Sequence, residues 1–201
     1  METNLIRNDD ILPSLLYKNF TSSEDAANFK SGNILIRRIE YHQKWEKENQ
    51  RLDTTENRAS YYYKNNDMTI NGSLTYVNPV YILSTSGPVS NRCNCENKFG
   101  HHEVKIINSE LFKINLQKAW KDNQLASSFN IFKVEYSKGE QREIPPYMIE
   151  PHGLSLYQKS KDHVDDEEYR FIFSCRMNPD IEHPDSLILN LDHNAINQLF
   201  E

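Results

Sequence analysis

The chain lacks every feature that would assign it quickly. Its 201 residues contain only three cysteines, Cys93, Cys95 and Cys175, an odd number without framework spacing, so a disulfide scaffold is not expected and a reducing cytosol is the natural compartment. No apolar run approaches the roughly 18 residues of a membrane span, and the N-terminal Met1-Glu-Thr-Asn-Leu-Ile-Arg7 lacks a signal-peptide core, so the expectation is a soluble, cytoplasmic protein with no membrane partner. A basic excess is missing too. The formal charge of −6 argues against a protein that holds nucleic acid mainly through nonspecific phosphate contacts. There is no Walker loop, no G-x-G-x-x-G and no G-x-S-x-G elbow, so P-loop, Rossmann and triad-hydrolase chemistry have no support.

The low apolar fraction, 37%, combined with abundant Tyr and Phe, suggests a mixed fold with long polar loops. Residues 1–13 read as a polar lead-in and residues 14–201 as one α+β domain. Ser14–Phe20 reads as a strand. The capping box Thr21-Ser-Ser-Glu24 then starts a short helix that Gly32 ends as its C′ residue, and Asn33–Ile39 reads as the next strand, with Arg37 and Arg38 at its far end. Tyr41–Gln50 has helical spacing. The polar connection that follows carries Arg51-x-Asp53-x-x-Glu56, read either as a solvated loop or as a substrate-contacting loop in which Arg51 meets a phosphate and Asp53 or Glu56 orients it.

Met68–Tyr76 alternates about Asn71-Gly72, which predicts a β-hairpin with its turn at that pair. Pro79–Ser84 suits a strand covered on both faces, and Thr85–Pro88 reads as a turn. A strand at Glu103–Ile107, a helix at Glu110–Trp120 capped by Asn108 or Ser109, and a strand at Phe129–Tyr136 follow. Leu187–Leu191 reads as a last strand and Asp192–Phe200 as a capped terminal helix. Cys93-x-Cys95 and His101-His102 offer four potential metal ligands in one loop, but without the paired spacing of zinc sites, so no metal is expected.

The stretch with most chemical content runs from Lys159 through Asp165-Asp166-Glu167-Glu168 into Tyr169-Arg170-Phe171-Ile172-Phe173. Strand alternation places Tyr169, Phe171 and Phe173 on one face and Glu168, Arg170 and Ile172 on the other. A glutamate and an arginine side by side at the mouth of a core strand suit the holding of a cationic or ribosyl group. The competing reading is a surface ion pair of little energetic weight.

Taken together, Leu16-Tyr17-Lys18, the helix ending in Lys30-Ser31-Gly32, the strand Ile34–Arg38, Val80–Ser84 and Glu168-Tyr169-Arg170 resemble the order of elements in ADP-ribosyltransferase folds. The likeness is greatest to the small bacterial DarT-type toxins that modify nucleic acid, and to bacterial proteins with an E-Y-R strand near the C-terminus. The resemblance implies a split β-sandwich of mainly antiparallel strands with peripheral helices. It also implies NAD as the bound substrate. Tyr17 or Lys18 would hold its nicotinamide-ribose part, Ser84 would stand at the second position and Glu168 would act as the catalytic carboxylate. The histidine common in the DarT branch is absent, and Lys18 stands near its place.

The resemblance further implies Arg37, Arg38 or Arg51 at the pyrophosphate, Tyr41 as a stacking residue, and Arg170, Asp53 and Glu56 as substrate-binding groups. The acceptor would be DNA, RNA or protein, and the setting a bacterial or phage toxin or defence effector with an antitoxin or other regulatory partner. Two other readings stay open. One is a noncatalytic module that binds a nucleotide or RNA, and the other a metal-independent nuclease using Arg51, His101, His102 and Glu168.

Overall fold

The computed structural model describes residues 12–41, 58–65, 68–75, 79–88, 99–136, 142–143, 158–159, 166–176 and 182–201. Strand β1 (Leu16–Phe20) leads into helix α1 (Ser23–Lys30) and back into β2 (Asn33–Arg38). The Ser22 side chain caps α1 by accepting from the N–H groups of Glu24 and Asp25, one residue later than the capping box suggested. Gly32 closes the helix at φ +88°, where a β-carbon would also meet Ile196 Cδ1 at 2.9 Å.

The main sheet has seven strands and is almost wholly antiparallel. Its trunk is β5 (Val80–Ser86) lying beside β11 (Glu168–Cys175), which in turn pairs with β7 (Ala126–Lys133). Because β11 covers one edge of β5 from end to end, both remaining neighbours must share the other edge. β2 pairs there with Tyr81 and Ile82, whereas β1 pairs only at Ser86. The sheet therefore forks at residues 83–85. One arm is β2 with β12 (Ser186–Asn190); the other is β1 with β6 (His102–Ile106).

One face of this sheet carries the larger core. Phe171, Phe173, Tyr81, Leu83, Ile34 and Ile36 point toward α2 (Ser109–Lys121), whose Phe112 and Trp120 make edge-on contacts to Phe171 and Phe173 at ring distances of 5.6 and 5.5 Å. Asn108 caps α2 through the N–H of Leu111. Among the described residues the opposite face carries a smaller cluster of Ile39, Val80, Ile82 and Ile172.

Three sequence expectations are corrected. Met68–Thr75 is one continuous strand, β4, paired with β3 (Arg58–Asn65), so there is no turn at Asn71-Gly72: Tyr62 lies opposite Asn71 and Tyr61 opposite Gly72. The two strands pair up to Asn65 opposite Met68, with Tyr61–Tyr63 lying against Ile70–Gly72. The terminal helix, α3, spans only His193–Ile196, because Leu199 and Phe200 return to the sheet and bridge Ile106 and Ile107. β5 also runs on to Ser86, through the expected turn.

Short strands β8 (Glu135–Tyr136), β9 (Arg142–Glu143) and β10 (Gln158–Lys159) complete the described chain; β10 pairs β8, and β9 pairs β3. Gly100, at φ +112°, lets the chain enter β6 against the end of β1, where any β-carbon would stand 2.2 Å from the Phe20 carbonyl oxygen. Among the described residues, no helix is long and apolar enough to cross a membrane.

Candidate functional site

A cavity of about 540 Å³ opens above the fork, a size suited to a small ligand. Strand register explains who lines it. Across the sheet, Tyr17, Ser86 and Glu168 form one row, and Ser84 and Arg170 the next, all on the same face. Arg37 sits opposite Ile82 and so shares this face, whereas Arg38, one residue on, sits opposite Tyr81 and turns away. Lys18 has the same parity as core-facing Leu16, but because β1 and β2 part here its side chain reaches the cavity through the gap.

Glu168 is the electrostatic centre. Its Oε1 accepts from Arg170 Nε at 2.8 Å and its Oε2 faces Lys159 Nζ at 2.8 Å, with all three side chains at most 8% exposed. The pair is thus not a surface ion pair. Burial alone pushes the Glu168 carboxyl up, but Arg170 and Lys159 outweigh it and hold the group well below the usual carboxylate range. The group is an obligate anion at neutral pH.

The backbone fixes this carboxylate as firmly as the cations do. Glu167 adopts a left-handed conformation at φ 39°, a costly geometry for a residue with a side chain, and its carbonyl accepts from Gly87 N–H at 2.9 Å. The next N–H, that of Glu168, donates to the Tyr136 hydroxyl at 2.9 Å, and the Glu168 carbonyl accepts from Val134 N–H. Burial pushes the Tyr136 hydroxyl well above its ordinary value, with the Glu168 charge adding to the effect, so it remains protonated. Tyr136→Phe is expected to leave the Glu168 N–H without its acceptor and to cost about 1–3 kcal/mol in a denaturant titration.

The site brings together Tyr17, Lys18, Arg37, Tyr41, Ser84, Glu168 and Arg170 from the sequence reading. The Arg37 guanidinium stands over the Tyr41 ring at 4.8 Å. Arg38 is elsewhere, pairing its Nε with Glu40 and donating from Nη1 to the His183 carbonyl. Arg51, Asp53, Glu56, Cys93 and Cys95 lie outside the described residues. His102 begins β6, His101 precedes it, and neither lines the cavity; among the described residues no group of three or more metal-ligating side chains occurs.

The sequence reading gave no site role to several lining residues, among them Lys159, Asp166 and Ser86, although the first two lie in the stretch it singled out. Lys159 lies nine residues before Glu168 and meets it only because β10 pairs with β8, a contact that no local pattern announces. Ser86 had a usable signal, since Ser84-Thr85-Ser86 continues the alternation of β5.

Compared with protein-family models, curated protein sequences and solved structures, the chain matches none of them.

Proposed function

We propose that the chain is an ADP-ribosyltransferase-like enzyme that binds NAD in the forked cleft and transfers ADP-ribose to a nucleic-acid or protein acceptor. The observation that carries this reading is the buried, permanently ionised Glu168 at the mouth of the core strand, in the same row as Tyr17 and Ser86 and facing a cavity large enough for a nucleotide. A carboxylate fixed in advance beside developing positive charge stabilises an oxocarbenium-like ribosyl cation as nicotinamide leaves. Because Arg170 and Lys159 keep it charged, no proton has to be lost first. The fork between β1 and β2 is consistent with the split sheet that the sequence resemblance implies.

In this reading Glu168 accepts from a ribose hydroxyl, Ser84 and Ser86 offer hydroxyls on the floor, and Tyr17 and Tyr41 present ring faces to a planar group. The bond that breaks joins nicotinamide to the ribose anomeric carbon; the acceptor's nucleophile forms the new bond there and loses its proton. A toxin or defence effector under control of an antitoxin is the setting that fits such an activity.

The noncatalytic nucleotide- or RNA-binding module is the second reading. It is favoured by the fact that both Glu168 oxygens already face cations, as in a purely structural ion cluster. Incubation of the folded protein with labelled NAD and separate pools of DNA, RNA and protein tests the choice. Label transferred to one pool is expected; folded protein that transfers none and consumes no NAD sinks the enzyme reading and leaves the binding module.

A further inference from the structure

Among the described residues four cations line the cavity, and they fall into two kinds. Arg170 and Lys159 are committed to the two oxygens of Glu168. Lys18 and Arg37 have no ion pair with any carboxylate among the described residues; Lys18 has only the Phe20 ring at 6.0 Å, and Arg37 the Tyr41 ring. They stand on opposite arms of the fork, on β1 and β2. Arg37 and Lys159 repel the Lys18 ammonium, and the attraction of Glu168 does not offset burial. Two like charges converging on a half-enclosed space cost energy unless an anion joins them.

We infer that Lys18 and Arg37 form a seat for the diphosphate of a small nucleotide-type ligand, spanning the gap between β1 and β2. A guanidinium standing over the Tyr41 ring still has N–H donors for oxyanions, and an ammonium supplies rotatable donors to a second phosphoryl group. Glu168 attracts Lys18 without offsetting its burial, and each of its oxygens already has a cation at 2.8 Å. The seat deepens the NAD reading by assigning the diphosphate to two named residues, yet it does not require that any bond be broken.

Calorimetric titration of the full chain with pyrophosphate and, separately, with ADP-ribose at constant ionic strength tests it. Both ligands are expected to bind the wild type. Lys18→Met and Arg37→Met should each weaken both by about 10- to 100-fold, while Lys113→Met, an exposed change on α2, should weaken neither. Thermal melts establish that the variants are folded. Absence of binding by the folded wild type, or equal loss in Lys113→Met, overturns the seat. Binding of pyrophosphate and ADP-ribose without NAD cleavage upholds the seat and removes only the transferase reading. NAD cleavage with undiminished ADP-ribose affinity in both cavity variants upholds the transferase and overturns the seat.

Discussion

Under the transferase proposal, Glu168→Gln is expected to lower NAD consumption and ADP-ribose transfer by about two to three orders of magnitude. The amide matches the carboxylate in shape, so the cavity keeps its form, but the charge that would stabilise the ribosyl cation is gone. The same change leaves Arg170 and Lys159, 1% and 7% exposed, as buried cations without their anion. Breaking a buried pair from one side typically costs about 3–5 kcal/mol. Turnover must therefore be measured at a temperature where melting curves show both proteins folded.

The two effects separate the readings. Stability that falls while NAD turnover persists makes Glu168 a structural anion and ends the catalytic assignment. Unchanged stability contradicts the ion cluster itself. The pH dependence follows from the sign of the shift: the folded-state carboxyl is depressed, so its contribution is full above the ordinary carboxylate pKa and is lost only as pH falls through the lower folded value. The stability gap between wild type and Glu168→Gln should accordingly persist through mildly acidic pH and narrow in strong acid.

What was legible in the sequence was local. Alternation from Glu168 to Phe173 placed the carboxylate and Arg170 on one face, the Ser22 region and Gly32 bracketed a helix, and Val80–Leu83 read as covered on both sides; each depends on neighbours within a few residues. Alternation also implies that Arg37 and Arg38 face opposite ways, although both were candidates for one site. Only the register against Ile82 and Tyr81 decides which of them enters the cavity. Burial was not legible either. Whether Glu168 and Arg170 form a surface pair or a buried one depends on Lys159, Tyr136 and Val134, which reach the strand through pairings distant in sequence.

The failed hairpin has the same origin. Asn71-Gly72 has strong turn chemistry, but the register with β3, Asn65 opposite Met68, overrides it and stretches the pair into a strand. A local preference worth a few tenths of a kcal/mol to about 1 kcal/mol yields to a ladder of cross-strand contacts. The fork is the least legible feature of all. It exists because β1 and β2 share one edge of β5 while the eight residues of α1 connect them, and no residue within either strand signals that division.

Lys18 supplies the second large effect, and its sign is opposite to that of a salt-bridged lysine. Burial first, then repulsion by Arg37 and Lys159, outweigh the attraction of Glu168 and bring its ammonium from 10.5 down to about 8. The other charged groups lining the cavity with it are Arg170, Asp25 and Asp166, while Val104 faces it from β6. Between pH 8 and 10.5 the unfolded chain holds a proton that the folded one has released, so stability should rise with pH across that window. Lys18→Met should remove this slope and be more stable than wild type at pH 7 by about 1–3 kcal/mol, an advantage that fades toward pH 10.5. Denaturant titrations from pH 7 to 10.5 measure both, and a wild-type curve that falls across the window contradicts the buried, repelled ammonium. A diphosphate seated between Lys18 and Arg37 restores the missing counter-charge and raises the Lys18 pKa. Ligand binding should then take up a proton near pH 8 and above, and affinity should decline as pH rises through that value. Calorimetry at pH 8.5 in buffers of different ionisation enthalpy reads the uptake directly: a binding enthalpy that is independent of the buffer would mean that Lys18 does not meet the anion, whereas a dependence that disappears in Lys18→Met assigns the proton to that side chain.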